Sequence, residues 1–351
     1  MFLAKLCGFF SEATKGMSEL YFLPAQKLES LLARMIEDNL IYIPVVEQER
    51  AHFKRFRPGE SFEWALDRIR PVEPLKGFFM KFKEVVAKPG GSLEKKSSKS
   101  VILGPKACDL RAMEVHDKVF LAGEFVDPFY KERRENTILI SVDCPQPEPT
   151  CFCNLVGIQP HPLKGFDLNL TPMNSGFLAE TGSEKGAELV RHARILFQPP
   201  SPEQIKERDT QRAQAVKTVE ATNPKALEDN LSRKVLDADM EFWERESTTC
   251  VECCACLHIC PTCYCFLLYD QKDDGGSERV RVWDACYYAA YARVGGGANP
   301  RADFSRRFRN RFLCKYSYFP GYHGFFACSG CGRCISGCTA KIDIREVLWG
   351  L

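Results

Sequence analysis

Cysteines at positions 250, 253, 256 and 260, followed by Pro261, read C-x2-C-x2-C-x3-C-P. This is the bacterial ferredoxin spacing, in which three thiolates hold one [4Fe–4S] cube and the fourth reaches a second. A partner run is therefore required, and Cys328, Cys331, Cys334 and Cys338 repeat the spacing. The crossed arrangement assigns Cys250, Cys253, Cys256 and Cys338 to one [4Fe–4S] cluster. Cys328, Cys331, Cys334 and Cys260 make the other. A zinc ribbon would use two C-x2-C pairs, but zinc takes four ligands and has no use for the extra cysteines. Cys254, wedged inside the first run, reads as a small packed residue because the register is already filled.

Another group lies upstream. Cys144, Cys151 and Cys153 fall within ten residues of a loop stiffened by Pro145, Pro147 and Pro149. Their spacing matches no ferredoxin run, yet their density points to a third cluster rather than to packing alone. The fourth ligand is Cys108, with Cys263 and Cys265 as alternatives; the bland reading is inert thiols. Cys263 and Cys265 otherwise read as neighbours of Cys260 that tune its cluster. Cys7, Cys286 and Cys314 have no ligand spacing and read as structural.

Eighteen cysteines in 351 residues, with no export signal read at the N-terminus, favour metal over disulfides and a cytoplasmic, anaerobic setting. Hydrophobic residues are 45% and charged residues 27%, with net charge +2, so no global field points to nucleic acid. No apolar run has the length of a membrane span. Arg301, Arg306, Arg307, Arg309 and Arg311 are interleaved with Phe304, Phe308 and Phe312. The phenylalanines make one apolar helical face and the arginines take the others, for charge compensation or docking rather than nucleic-acid binding. Gly295, Gly296 and Gly297 follow a helical pattern and read as a stop, not a dinucleotide fingerprint. No Ser–His–Asp set or paired carboxylates suggest substrate chemistry.

The positioning elements follow from periodicity. The expectation is a helix from about residue 25 to 37 and strands at 40–46, 101–103 and 137–142. A helix spans 109–120 with Asp109 as N-cap. The strands end near Cys108 and Cys144, the edge where α/β sheets gather ligands. Residues 88–100 read as a polar loop, and 61–82 give no clear order. A strand, turn and helix start cover 178–190. A polar helix spans 201–221 with Ser201 as N-cap and Pro202 first, a second helix spans 225–245, and a third lies over 284–292. A turn is expected at 273–276 and a short helix at 343–349. The fold class is an α/β (or α+β) N-terminal domain, residues 1–195. A helical connector, 196–247, joins it to a C-terminal α-helical ferredoxin-like dicluster domain, 248–351.

The ordered set GPKACDLRAMEVHD, DCPQPEPTCFC, CVECCACLHICPTCYCF, VWDAC, ANPR and CSGCGRCISGC resembles one family. It is the iron–sulfur electron-transfer subunits typified by the β subunit of sulfhydrogenase and the corresponding iron–sulfur chain of anaerobic sulfite reductase. The resemblance runs from about residue 100 to the end. Cys254 stands where glycine is usual, and Cys314 where histidine is usual. The resemblance implies an electron relay in a multisubunit oxidoreductase with no substrate chemistry on this chain. Its implied partners are a reductase subunit that binds flavin and NAD(P), together with a catalytic subunit of hydrogenase, sulfite reductase or heterodisulfide-reductase type. The other readings are a catalytic reductase with substrate at the third cluster and a nucleic-acid-binding iron–sulfur protein.

Overall fold

The computed structural model describes residues 19–88, 98–273 and 276–351. Cys7, the N-terminal export question, most of the expected 88–100 loop and the centre of the 273–276 turn lie outside them.

A seven-stranded sheet organises the N-terminal part, in the order β1-β8-β7-β6-β5-β2-β3. The strands are β1 (Leu20–Pro24), β2 (Leu40–Glu47), β3 (Arg50–Arg55), β5 (Ser100–Leu103), β6 (Thr137–Val142), β7 (Leu168–Met173) and β8 (Gly176–Thr181). The centre, β2-β5-β6-β7, is parallel. β5 and β6 read SVIL and TILISV and are almost wholly buried, as strands covered on both faces must be. The helices Ala107–Phe120 and Pro128–Glu135 carry the crossover between them. Lys106, not Asp109, is the N-cap of the first; Asp109 sits in the first turn and its carboxylate accepts from the Lys106 backbone N–H.

Leu28–Met35 is helical, preceded by the strand β1 that the sequence pattern did not disclose. The helix Pro202–Thr222 starts at Ser201 with a reciprocal cap to Gln204. Its Arg212 pairs with buried Asp143 at 2.7 Å, and Asp143 also accepts from Asn169 and Thr171. This carboxylate pins the helix to the carboxyl end of β6, one residue before Cys144. The expected helix 225–245 is instead Leu231–Asp237 and Met240–Ser247. The break comes at Asp239, whose side chain caps the second by accepting from the Phe242 N–H.

The expected helix at 284–292 is absent. Residues there form successive four-residue turns, with Tyr288, Tyr291 and Arg293 N–H groups bonding to Ala285, Tyr288 and Ala290 carbonyls. Tyr287 is buried against Phe304 and Phe308, which holds the segment close to the helix Phe304–Phe312. The glycines that follow do make turns: Gly296 and Gly297 have positive φ. Between the cysteine runs the chain also forms an unforeseen hairpin, β9 (Phe266–Asp273) and β10 (Gly276–Trp283). β10 pairs on its other side with β4 (Lys83–Ala87), so a strand from the early chain completes this small sheet. The molecule is mixed α/β, with a large sheet and helices. Among the described residues no helix is long and apolar enough to cross a membrane.

Candidate iron–sulfur sites

Cys250, Cys253, Cys256 and Cys338 line one cavity, together with Cys334 and Arg311. Among the described cysteines only Cys253 is exposed. Cys328, Cys331, Cys334 and Cys260 form the adjoining group. Burial pushes the Cys334 thiol up to about 12; Arg311 opposes this, and the thiols of Cys331, Cys260 and Cys328 add to it. Cys260 behaves differently. A hydrogen bond from Cys263 pulls it well below the ordinary thiol range; burial opposes the shift, while Lys315, Thr262 and Lys76 add to it. A thiolate is the form that binds metal.

Cys108, Cys144, Cys151 and Cys153 line a single small cavity of about 20 Å³. β5 and β6 deliver the first two at their carboxyl ends. Cys263 and Cys265 lie elsewhere: Cys263 beside Cys260, and Cys265 accepting from the Tyr291 hydroxyl at 3.3 Å. Cys286 is buried, and Cys314 lies 3.7 Å from the Tyr264 hydroxyl. Burial drives Cys153 up to about 12, with Cys151 and Cys144 adding. Among the described residues no three Cys, His, Asp or Glu side chains converge as ready-made ligands of a single metal ion. The donor set fits clusters on chemistry: thiols grouped in fours, walled by buried cations.

The third cavity abuts the second run through glycines. Gly330 has φ +59, and a Cβ there would lie 2.5 Å from the Cys153 Cα. Gly332, φ +71, would meet the Thr150 carbonyl oxygen at 2.3 Å. The Phe152 N–H donates to the Gly330 oxygen at 2.8 Å, and Cys331 lines the third cavity. Asn223 and Arg345 hold the loop from outside, donating to the Cys151 and Pro149 carbonyls. In the first run the equivalent residues, Glu252 and Cys254, are also left-handed, at φ 53° and 58°. This explains why glycine would be the ordinary choice at 254. Cys254 is buried there, its thiol near the Glu252 carbonyl oxygen.

The counter-charges were largely missed in the sequence. Arg70 and Lys106 line the third cavity and are buried. Lys106 Nζ donates to the Leu66 and Asp143 carbonyls, both at 3.0 Å. Arg333, only 2% exposed, pairs with Asp109 at 2.8 Å and donates to the Pro71 carbonyl. Lys76 donates to the Cys263 carbonyl at 3.0 Å and stacks on Trp283. Lys315 donates to the Thr262 hydroxyl, which itself lies 3.2 Å from the Cys260 thiol. Burial works to lower the Lys315 pKa, but Cys260, Cys263 and neighbouring thiols hold it well above the usual lysine range. Arg307 and Arg311 are also buried, although the sequence placed them on outer helix faces. Arg307 pairs with Glu252 at 2.9 Å, and Arg311 lines the first cavity. Lys106 and Arg333 stand inside the PKAC and CGRC strings, a readable signal; Arg70 and Lys76 lie in the stretch whose order the sequence did not disclose.

Paired runs of four thiols with buried cations define an iron–sulfur protein, and residues 249–342 match the 4Fe–4S dicluster domain family. The β subunit of sulfhydrogenase 2 from Pyrococcus furiosus is 31% identical over 326 residues, covering 90% of this chain and 93% of that protein. The chain belongs to the family of that sulfhydrogenase subunit.

Proposed function

We propose that this chain is the electron-relay subunit of a multisubunit oxidoreductase, without substrate chemistry of its own. The observation that carries it is the contiguity of three thiol-lined sites. The Cys108–Cys144–Cys151–Cys153 cavity adjoins the Cys260–Cys328–Cys331–Cys334 group through Cys331, and Cys334 also lines the cavity of Cys250, Cys253, Cys256 and Cys338. When bound, [4Fe–4S] clusters supply single-electron transfer, at potentials set by sulfur hydrogen bonds, burial and charge. The chain's own work is to hold thiolates and offset their charge. Arg70 and Lys106 serve the third site, Lys315 and Lys76 the Cys260 side, and Arg311 the boundary between the two C-terminal groups. We read residues 248–351 as a helical ferredoxin-like module with an inserted hairpin, joined through 196–247 to the α/β part.

The partners in this reading are a subunit that binds flavin and NAD(P), together with one of hydrogenase, sulfite reductase or heterodisulfide-reductase type, in the cytoplasm. Anaerobic capture of the native complex tests it: a flavoprotein with a catalytic subunit supports the relay, and a solitary chain refutes it. Iron analysis tests the site count. Three clusters require about twelve irons per chain and two about eight. Cys151→Ala should lose about four while the dicluster signals remain; a full iron count in that variant would remove the third cluster.

A further inference from the structure

A cleft of about 390 Å³ opens beside the third cavity, within the range of small-ligand sites. Its charged lining is Arg50, Arg68, Arg70 and Arg333, against Glu49 and Glu148. Arg333 is accounted for by Asp109 and the Pro71 carbonyl. Arg50, Arg68 and Arg70 have no side-chain hydrogen bond or ion pair among the described residues, and the Arg70 Nε is sealed from water without an acceptor. Arg70 is 93% buried by its 7% exposure, lines both the cysteine cavity and the cleft, and is the deepest of these three arginines. The thiols explain one face of Arg70. They do not explain Arg50 and Arg68, which line the cleft and not the cysteine cavity. The cleft walls also include Val72, Pro147 and Ile259, an apolar surface that a bare inorganic ion would leave uncovered.

We propose that this cleft binds a small organic anion. A phosphate or carboxylate group is held by Arg50, Arg68 and Arg70, and an apolar body lies on Val72, Pro147 and Ile259. Glu49 and Glu148 cap the charge the site accepts, which favours one or two negative charges over a polyanion. Guanidinium forks match both head groups bidentately. The proposal stands on the arginines and holds whether or not the neighbouring thiols carry iron.

Calorimetric titration of the full chain, purified anaerobically, tests it with phenyl phosphate, benzoate, inorganic phosphate and phenol. Phenyl phosphate or benzoate should bind better than both inorganic phosphate and phenol, and whichever anion binds more tightly names the head group. The Arg50→Gln/Arg68→Gln double variant alters two exposed side chains and should keep its iron content. Its affinity for the better anion should fall by about tenfold to a hundredfold, the loss expected for one or two charge-assisted hydrogen bonds. Unchanged affinity in that variant, or no binding of either organic anion at millimolar concentration, overturns the proposal.

Discussion

Replacing Gly330 with alanine should disconnect the third cavity from the second cysteine run. Three effects add. An alanine held at φ +59 pays for the left-handed region. Its Cβ would stand 2.5 Å from the Cα and N of Cys153 and from the Phe152 carbonyl oxygen, all backbone atoms that cannot swing aside. The loop must then retreat, which strains or breaks the Phe152 N–H bond to the Gly330 oxygen. Left-handed strain of ~1–2 kcal/mol, overpacking of ~1–3 and one lost hydrogen bond of ~1 give a destabilisation of about 3–6 kcal/mol. Gly324→Ala is the control, because Gly324 is equally left-handed at φ +77 but a Cβ there meets nothing within 4 Å. It should lose only ~1–2 kcal/mol. Anaerobic denaturant unfolding of both variants measures the difference, and iron per chain shows whether the third site empties first. If Gly330→Ala is no less stable than Gly324→Ala and keeps its full iron, the close approach is not what joins the two sites.

Cys254→Gly should keep its iron and change stability by less than about 1 kcal/mol, because relief of left-handed strain offsets the lost buried thiol and the added chain entropy; loss of about four irons would instead make Cys254 a ligand. Burial, reinforced by Lys76, holds His116 down at about 3, among the rings of Phe120, Tyr130 and Tyr264. The unfolded chain therefore binds this proton first as pH falls: the contribution is intact above about pH 6.5 and erodes by roughly 1.4 kcal/mol per unit below it, so melting from pH 7 to 5 should fall more steeply in the wild type than in His116→Phe. Arg212→Ala should cost about 3 kcal/mol in denaturant unfolding by leaving the buried Asp143 carboxylate without its cation, and a cost under about 1 kcal/mol would show that Asn169 and Thr171 suffice.

The cysteine spacing made the two C-terminal groups readable, because cluster ligation fixes residue type and separation along a short run. The strands that carry Cys108 and Cys144 were readable too, since VIL and TILISV admit few other readings. The hairpin was hidden because β9 and β10 are polar or exposed for much of their length, and β10 gains its second partner from β4, about 195 residues away. The helix expected at 284–292 had suitable composition but lost to tertiary packing of Tyr287. The burial of the arginines and lysines was not legible for one physical reason. A cation is ordinarily placed at the surface, and the groups that offset its burial here, the gathered thiols together with Asp109 beside Arg333 and Glu252 beside Arg307, are brought to it only by the fold.

The left-handed pairs in the two runs carry this asymmetry into the order of the sites. At 330 and 332 a side chain would strike the 150–153 backbone, so glycine is required on steric grounds as well as for φ. At 252 and 254 the same backbone is tolerated with glutamate and cysteine, at a cost of ~1–2 kcal/mol each, because Glu252 is exposed and Cys254 is buried in the wall of the first-run cavity. One run is therefore shaped to receive a neighbouring loop, and the other is shaped to end at solvent, where Val251 is 63% exposed beside Cys253. On this geometry the Cys328–Cys331–Cys334–Cys260 group lies between the other two thiol-lined sites, and the first run, despite the stronger ferredoxin signature, is the one with an exposed thiol, at Cys253.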